Sequence, residues 1–387
     1  MYRKFWFVAT ICVVVEGLGI FENQAIKKIF QQDPSFCFKP FNATGCNSTV
    51  WNAFPSDIPS MNSSNPKQLT LAFLFTPKNS KYPEFLHLCD GKLPDNTNFN
   101  PKFKTEIIIH GYLDGACRSA WMREMKDELF KRGSYNVIFI DWTWGNGPKY
   151  DESAANTKIV GKQLAILLQN IMNQSGAGPE KFHLIGHSFG AHIAGFAGKI
   201  VKNIRRITAL DPAMAPFQNK SKDERLDSTD ANLVDVIHTN AGTEVGEAIG
   251  DINPLGHADF YPNGGIKQDS CRLQILKSYL ALDFLYATIS LVPRVCSHMQ
   301  AVQYYKASIN PKKCEIIGVQ CPDYESFASG KCTSCYRNGS NCAVMGMNHE
   351  YYTNRRNFTG ITTVPRKFYL NTTLTYPYCD NSALTFV

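Results

Sequence analysis

Short runs of apolar residues, bounded by turn-forming residues, recur along the chain. They are enriched in β-branched and aromatic side chains, and several are almost continuously apolar, which is typical of strands covered on both faces. The strands predicted in this way span residues 69–76, 105–110, 136–141, 182–186, 206–210 and 234–239.

Segments with apolar residues on one side of a helix lie between these strands. Residues 118–132 form one, and residues 153–172 form another with Ser153 as its expected N-cap. Residues 191–201 are small and apolar, which suits close packing on a sheet. Strands that alternate with helices predict an α/β fold, with a mostly parallel central sheet and helices on both faces.

The two ends of the chain differ from this pattern. Residues 1–20 combine a basic start with an apolar run too short to span a bilayer, and they predict a signal peptide. Residues 33–68 are rich in Pro, Asn and Ser, and residues 21–68 are expected to form an irregular N-terminal segment. Residues 69–360 are expected to form one main domain, followed by a C-terminal tail at 361–387.

Cysteines and glycosylation motifs indicate export from the cell. One of the 13 cysteines lies in the predicted signal peptide, which leaves an even number for disulfide bonds. Cys332-x-x-Cys335 also invites a zinc or redox site, but no second such pair completes a zinc set, so a disulfide cluster is favoured. Eight Asn-x-Ser/Thr sequons are present, at Asn42, Asn47, Asn62, Asn173, Asn219, Asn338, Asn357 and Asn371. We therefore expect a secreted, extracellular glycoprotein.

The net charge of +7 is spread over short groups of basic residues. Such a charge favours anionic lipid surfaces or acidic glycans, although scattered basic residues more often form an ordinary solvated surface. The sequence has no nucleic-acid-binding signature, and we expect no nucleic-acid partner.

The candidate chemistry centres on Gly186-His187-Ser188-Phe189-Gly190. This G-x-S-x-G sequence lies between a predicted strand and a predicted helix. A corner of this kind projects the serine hydroxyl from the sheet, and its glycines prevent collisions between the adjoining elements. Ser188 is therefore the candidate nucleophile of a serine hydrolase.

A serine nucleophile needs a histidine base and an acid that orients the base. Asp211 ends a predicted strand, so its carboxylate is expected at the carboxyl edge of the sheet; a turn-capping role is the alternative. Three later histidines are candidate bases: His238, His257 and His298. Sequence order alone does not choose among them. His298 is expected in a loop before a helix at 299–306.

The amides of an oxyanion hole are expected close to the nucleophile. One normally belongs to the residue after the serine, here Phe189, and the other to a loop after an earlier strand. Predicted strand 105–110 leads into Gly111-Tyr112, so Tyr112 is the second candidate. An ordinary strand-ending turn is the alternative.

Together these motifs resemble the pancreatic lipase family, which contains secreted lipases and phospholipases A1. The resemblance covers roughly residues 35–380. It rests on Ile109-His110-Gly111-Tyr112, the stretch from Ile185 to His192, Leu210-Asp211-Pro212-Ala213, the stretches 234–239 and 256–265, and Cys296-Ser297-His298. It implies an α/β-hydrolase fold and the triad Ser188, Asp211 and His298. It also implies Tyr112 and Phe189 as oxyanion donors and structural positions for His238 and His257.

The same resemblance implies a structural calcium site and a lid. Carbonyls of Lys222 and Arg225 with carboxylates of Asp227 and Asp230 would supply hard oxygen ligands; a solvated acidic loop is the alternative. The apolar segment at about 271–296 resembles a lid that covers the pocket when closed and contacts lipid when open; a buried helix is the alternative. The chemistry itself requires no cofactor.

The family pattern also implies disulfide bonds. The pairs are Cys37–Cys46, Cys271–Cys296, Cys321–Cys332 and Cys335–Cys342, and the cysteines that remain would pair as Cys89–Cys117 and Cys314–Cys379.

The activity implied by the resemblance is hydrolysis of lipid carboxylic esters at a lipid–water interface, with transient contact to a membrane or lipid-droplet surface. The long lid and the long loop between His238 and His257 are similar to those of triacylglycerol lipases. The lack of the family's C-terminal β-sandwich instead favours a phospholipase A1 that releases the sn-1 fatty acid. We expect a triacylglycerol lipase without a colipase-type partner. A non-catalytic, lipid-binding yolk-type protein is a remote alternative, because such relatives lack a triad member.

Overall fold

The computed structural model of the protein describes residues 70–86, 93–116, 119–271, 286–311, 314–332, 334–335, 341–350, 366–381 and 384–386. The predicted signal peptide, the irregular segment up to residue 68 and the greater part of the predicted lid lie outside the described residues.

A large, mostly parallel sheet forms the centre of the fold. Its strands are β1 (Leu71–Phe75), β2 (Glu84–Leu86), β3 (Lys104–Ile109), β4 (Tyr135–Asp141), β5 (Phe182–His187), β6 (Arg206–Leu210), β7 (Val234–Ile237), β10 (Ala258–Pro262), β11 (Ile317–Gln320), β13 (Cys342–Val344) and β14 (Arg366–Thr372), with β15 (Cys379–Asp380) paired to β14. The order is β13-β11-β14-β10-β7-β6-β5-β3-β4-β1-β2. Every neighbouring pair from β14 to β4 is parallel, and the strands outside them are antiparallel.

Two short pairs complete the described strands. They are β8 (Ala241–Gly242) with β9 (Gly250–Asp251), and β12 (Ser334–Cys335) with β16 (Thr385–Phe386). The described helices of five residues or more are α1 (Ala120–Arg132), α2 (Tyr150–Ser175), α3 (Phe189–Ile200), α4 (Tyr286–Ile309) and α5 (Tyr324–Ala328). In this part of the chain no helix is long and apolar enough to cross a membrane.

The helices cover both faces of the sheet, as the sequence predicts. Successive side chains of a strand point to opposite faces. Ile107 and Ile109 of β3 pack in one apolar core with α2 and α3, whereas Ile108 packs in a second core with α1 and α4. This is why the strands are almost continuously apolar, and the chain has the α/β-hydrolase fold.

Two local predictions at helix ends are wrong. Helix α2 begins at Tyr150 with Lys149 as its N-cap, so Ser153 is not the cap; its hydroxyl donates instead to the Gly147 carbonyl at 3.0 Å. His298 does not lie in a loop but inside α4. That helix contains Pro293, which removes one backbone hydrogen bond. A proline normally marks the end of a helix in a sequence, which is why the prediction began the helix only at residue 299.

The central sheet extends into the segment predicted as the C-terminal tail. Strand β14 is parallel to β10 and antiparallel to β11, so it belongs to the same sheet as the main domain. The disulfides Cys271–Cys296, Cys314–Cys379, Cys321–Cys332 and Cys335–Cys342 are formed as expected. Cys37–Cys46 and Cys89–Cys117 lie outside the described residues.

Candidate active site

Ser188 occupies the corner between β5 and α3. The strand ends at His187 and the helix begins at Phe189, so Ser188 is the N-cap residue. Its backbone angles, φ 56° and ψ −119°, are rare for a residue with a side chain. Strain at a sharp strand-to-helix turn is the property that the G-x-S-x-G sequence predicts.

The two glycines of the motif allow this corner to lie close to the sheet. A Cβ atom at Gly186 would lie 2.2 Å from the Gly190 carbonyl oxygen. A Cβ atom at Gly190 would lie 2.4 Å from the Ile109 carbonyl oxygen. A side chain at either position would push α3 away from its strands, and with it the serine.

The carboxylate of Asp211 is held by three donors at the end of β6. Its Oδ1 accepts from the Thr239 amide at 2.7 Å and from the Asn240 amide at 3.1 Å. Its Oδ2 accepts from His298 Nδ1 at 2.6 Å. All of these groups are buried. Because Nδ1 of His298 donates to Asp211, the neutral ring presents Nε2 as its basic nitrogen.

The geometry distinguishes the three candidate histidines. His298 alone among them contacts Asp211 in the described structure. His238 uses both ring nitrogens elsewhere, on the Asp251 carbonyl at 2.7 Å and on Asp259 at 2.9 Å. His257 accepts from a backbone amide of β7 through Nδ1 at 2.9 Å.

Strand pairing brings Ser188 and Asp211 to the same edge of the sheet. His187 lies opposite Leu210 in the β5–β6 ladder, and the Ser188 amide donates to the Leu210 carbonyl at 3.0 Å. The rings of His187 and His298 lie 4.4 Å apart, and His187 Nε2 donates to the His298 carbonyl at 3.3 Å. Burial lowers the pKa of His187 well below its usual value, so this neighbour of His298 stays neutral.

The predicted oxyanion residues lie beside the nucleophile. Phe189 is the first residue of α3, where backbone amides have no acceptor within the helix. A Cβ atom at Gly111 would lie 2.8 Å from Ser188 Cβ, so the segment that leads into Tyr112 contacts the serine. The rings of Tyr112 and Phe189 pack edge to face, with centroids 5.7 Å apart.

Comparison with known proteins shows the family to which the chain belongs. A family model described as Lipase matches residues 39–378. The chain belongs to the pancreatic lipase family. It is 37% identical over 313 residues to inactive pancreatic lipase-related protein 1 of Homo sapiens. The matched region covers 80% of this chain and 64% of that protein. Pancreatic lipase-related protein 2 of Bos taurus is 33% identical over 342 residues, 87% of this chain and 70% of that protein. Pancreatic triacylglycerol lipase of Mus musculus is 36% identical over 312 residues, 80% of this chain and 64% of that protein.

Membership of the pancreatic lipase family does not by itself establish activity. The matched region spans 64% of the human and mouse relatives, and the human one carries the word inactive in its name. The activity of this family member therefore has to be argued from its own site.

The predicted calcium loop contains two buried carboxylates. Asp230 contacts Lys199 Nζ at 2.6 Å through Oδ1 and accepts from the Asp227 amide at 2.8 Å through Oδ2. Asp227 Oδ1 accepts from the Thr229 amide and hydroxyl at 3.1 and 2.9 Å. No group of three or more His, Cys, Asp or Glu side chains within the described ranges could hold a metal ion. Calcium takes carboxylate and main-chain oxygens. The predicted donors are of these types, the carboxylates of Asp227 and Asp230 with the carbonyls of Lys222 and Arg225, and Lys199 here contacts one oxygen of Asp230.

Two features of the site were not predicted from the sequence. The amides of Thr239 and Asn240 bind the Asp211 carboxylate, and Asn146 binds the loop that contains Tyr112. The available signal is positional: Thr239 and Asn240 follow β7, and the carboxyl ends of parallel strands meet at one edge.

Proposed function

We propose that this protein hydrolyses carboxylic esters of lipids. The observation that carries the proposal is the buried 2.6 Å hydrogen bond from His298 Nδ1 to Asp211, at the sheet edge where Ser188 sits in a strained strand-to-helix corner. A serine, a histidine and an aspartate arranged in this way form a catalytic triad for acyl transfer through an acyl-enzyme.

The reaction would proceed in two steps. The Ser188 hydroxyl attacks the ester carbonyl while His298 Nε2 takes its proton and Asp211 stabilises the resulting imidazolium. The backbone amides of Tyr112 and Phe189 stabilise the tetrahedral oxyanion. When this intermediate collapses, the bond to the alcohol oxygen breaks, His298 gives its proton to the leaving alcohol, and the acyl group stays on Ser188. A water molecule deprotonated by His298 then attacks the acyl-enzyme and releases the fatty acid.

A lipid surface as the site of action is supported by apolar side chains near the catalytic edge. Trp144, Val245, Ile266 and Val295 are exposed, Trp144 by 64%. Trp144 lies in the short helical turn after β4, Val245 in the loop between β8 and β9, and Ile266 after β10. Val295 lies one turn of α4 before His298. Exposed apolar residues gathered on one side of a protein suit contact with lipid.

The proposed lid is connected to the loop between β8 and β9. The Cys271–Cys296 disulfide closes its base, and Arg294 donates to the Gly246 carbonyl in that loop. The lid has 24 residues between its cysteines. The stretch between His238 and His257, which contains the loop between β8 and β9, has 18 residues, so both are long. Together they support triacylglycerol as the preferred substrate and phospholipid as the second candidate.

Direct comparison of two substrates tests this preference. We expect the purified protein to release fatty acid from a triolein emulsion several-fold faster than from phosphatidylcholine vesicles at equal interfacial area, measured by pH-stat titration. Background release is subtracted with the Ser188→Ala variant. Faster release from the sn-1 position of phosphatidylcholine would make the protein a phospholipase A1.

Calcium binding by the loop is tested with the metal alone. We expect about one bound Ca²⁺ per chain by elemental analysis, and its loss in Asp227→Ala, because a carboxylate ligand is removed. Asp223→Ala is the matched control, since Asp223 is an exposed acid of the same loop. A wild-type protein without bound calcium at millimolar Ca²⁺ would exclude the site.

Secretion is the proposed fate of the chain. The disulfides of the described residues, including Cys314–Cys379 between distant segments, suit an oxidising compartment. The signal peptide and the sequons remain predictions from the sequence.

A further inference from the structure

Asn146, in the turn after β4, is bonded to the loop that precedes α1. Its Nδ2 donates to the carbonyls of Gly111 at 3.0 Å and Asp114 at 3.1 Å. Its Oδ1 accepts from the Leu113 amide at 2.9 Å. The residue is 6% exposed. Its NH₂ group faces two carbonyl acceptors and its oxygen faces an amide donor, and these partners determine which way the side-chain amide is oriented.

The loop bonded to Asn146 contains a residue in an unfavourable backbone conformation and lies against the nucleophile. Leu113 has a φ of 54°, a conformation that is unfavourable for a residue with a branched side chain. Gly111 lies against Ser188, as the 2.8 Å distance from a Cβ placed there to Ser188 Cβ shows. A small movement of this loop would therefore change the surroundings of the nucleophile directly.

The bonds to the Gly111 carbonyl also determine the direction of the Tyr112 amide. In a trans peptide the C=O of one residue and the N–H of the next point in opposite directions. The Gly111 oxygen accepts from Asn146 Nδ2 and from His110 Nδ1, each at 3.0 Å. The Tyr112 N–H must then point away from both side chains, and two donors on the carbonyl polarise the peptide so that its N–H becomes a stronger donor.

We propose that Asn146 is a positioning residue that aims and polarises the Tyr112 amide for the oxyanion. The inference rests on the proposed function, because it concerns the same reaction. Asn146 touches neither substrate nor the reacting atoms and acts through the backbone of the 111–114 loop.

Asn146→Asp and Asn146→Ala test this role. The aspartate keeps the bond from Leu113 but places an oxygen against the carbonyls of Gly111 and Asp114, whereas alanine removes all three bonds without repulsion. We expect kcat for a soluble short-chain ester to fall about 10- to 100-fold, with little change in KM, which is less than the loss of a whole oxyanion donor. The inhibition constant of an alkyl trifluoromethyl ketone, which forms an oxyanion on Ser188, should rise by the same factor. The inhibition constant of the alcohol product, which forms no oxyanion, should not change.

Asn136→Asp is the matched control. Asn136 is also buried and clamps a loop through its backbone, with Nδ2 donating to the Asn100 carbonyl at 2.8 Å and Oδ1 accepting from the Asn100 amide at 3.0 Å. It lies at the opposite end of β4 from the catalytic edge. We expect this variant to lower the melting temperature without changing the kcat of the folded protein.

The outcomes separate this inference from the proposed function. Folded Asn146 variants with wild-type kcat and wild-type affinity for the ketone would overturn the positioning role, and so would an equal loss of kcat in Asn136→Asp. A wild-type protein that neither hydrolyses esters nor reacts with a fluorophosphonate at Ser188 would overturn both proposals.

Discussion

Ser188→Ala is expected to lower kcat for ester hydrolysis by about 10⁵- to 10⁶-fold, the size of the loss when the nucleophile of a serine triad is removed. The physical reason is that His298 then has no hydroxyl to deprotonate, so the acyl-enzyme route is closed. The fold should remain, because the Ser188 side chain makes no capping hydrogen bond to α3 and alanine keeps the Cβ atom that already fits at this corner.

The measurement combines initial rates on a soluble ester with labelling by a fluorophosphonate and thermal unfolding. Ser308→Ala is the control: Ser308 is also buried, but its hydroxyl bonds the backbone of Tyr305 and Met347, away from the catalytic edge. The Ser308→Ala variant should keep the wild-type rate of ester hydrolysis and the wild-type labelling by the fluorophosphonate. Activity retained by Ser188→Ala would contradict the proposed mechanism, and an inactive wild type would place this chain with relatives that bear the word inactive in their names.

Strand β1 and strands β3 to β7 could be predicted from the sequence, and the strands on the other side of β7 could not. Strands β3 to β7 are buried on both faces, so most of their residues are apolar and each strand can be recognised despite single charged residues such as Glu106 and Asp235. Strand β10 is a run of only five residues that ends in a proline, and β14 mixes charged and apolar residues near the end of the chain. Their place in the sheet depends on partners far away in sequence, and the local pattern carries no record of that pairing.

The nucleophile and the acid could be predicted from local sequence, and the base could not. Ser188 and Asp211 each end a recognisable strand, whereas His298 lies 87 residues beyond its partner, within a helix that a proline interrupts in the sequence. The resemblance to a family assigned the base, and the hydrogen bond to Asp211 now supports that assignment on physical grounds.

The role of Asn146 could not be seen in the sequence for a different reason. All of its partners are backbone atoms of the 111–114 loop, which any residue type could supply. A Gly-Asn-Gly-Pro sequence reads as an ordinary turn. Interactions between a side chain and a distant backbone become visible only in three dimensions.

Asp211→Asn is expected to lower kcat by about 10⁴-fold, as an acid-to-amide change does in other serine triads, with the fold retained. Oδ1 of Asp211 accepts from the amides of Thr239 and Asn240, so the asparagine oxygen should take that position. Its NH₂ group would then face His298 Nδ1. To avoid two opposed donors, His298 must move its proton to Nε2, and in that tautomer it cannot accept the proton of Ser188.

Asp259→Asn provides a control that matches this change closely. Asp259 is also fully buried, also contacts a histidine, His238 Nε2 at 2.9 Å, and also accepts from two backbone amides, those of Leu255 and Gly256. Both variants remove one buried negative charge beside a histidine, so both should lower the free energy of unfolding. Only Asp211→Asn should lower kcat in the folded protein, measured at a temperature where both variants are native. Equal losses of kcat in the folded variants would mean that loss of either buried carboxylate disturbs the site to the same extent, and that Asp211 has no special role in orienting His298.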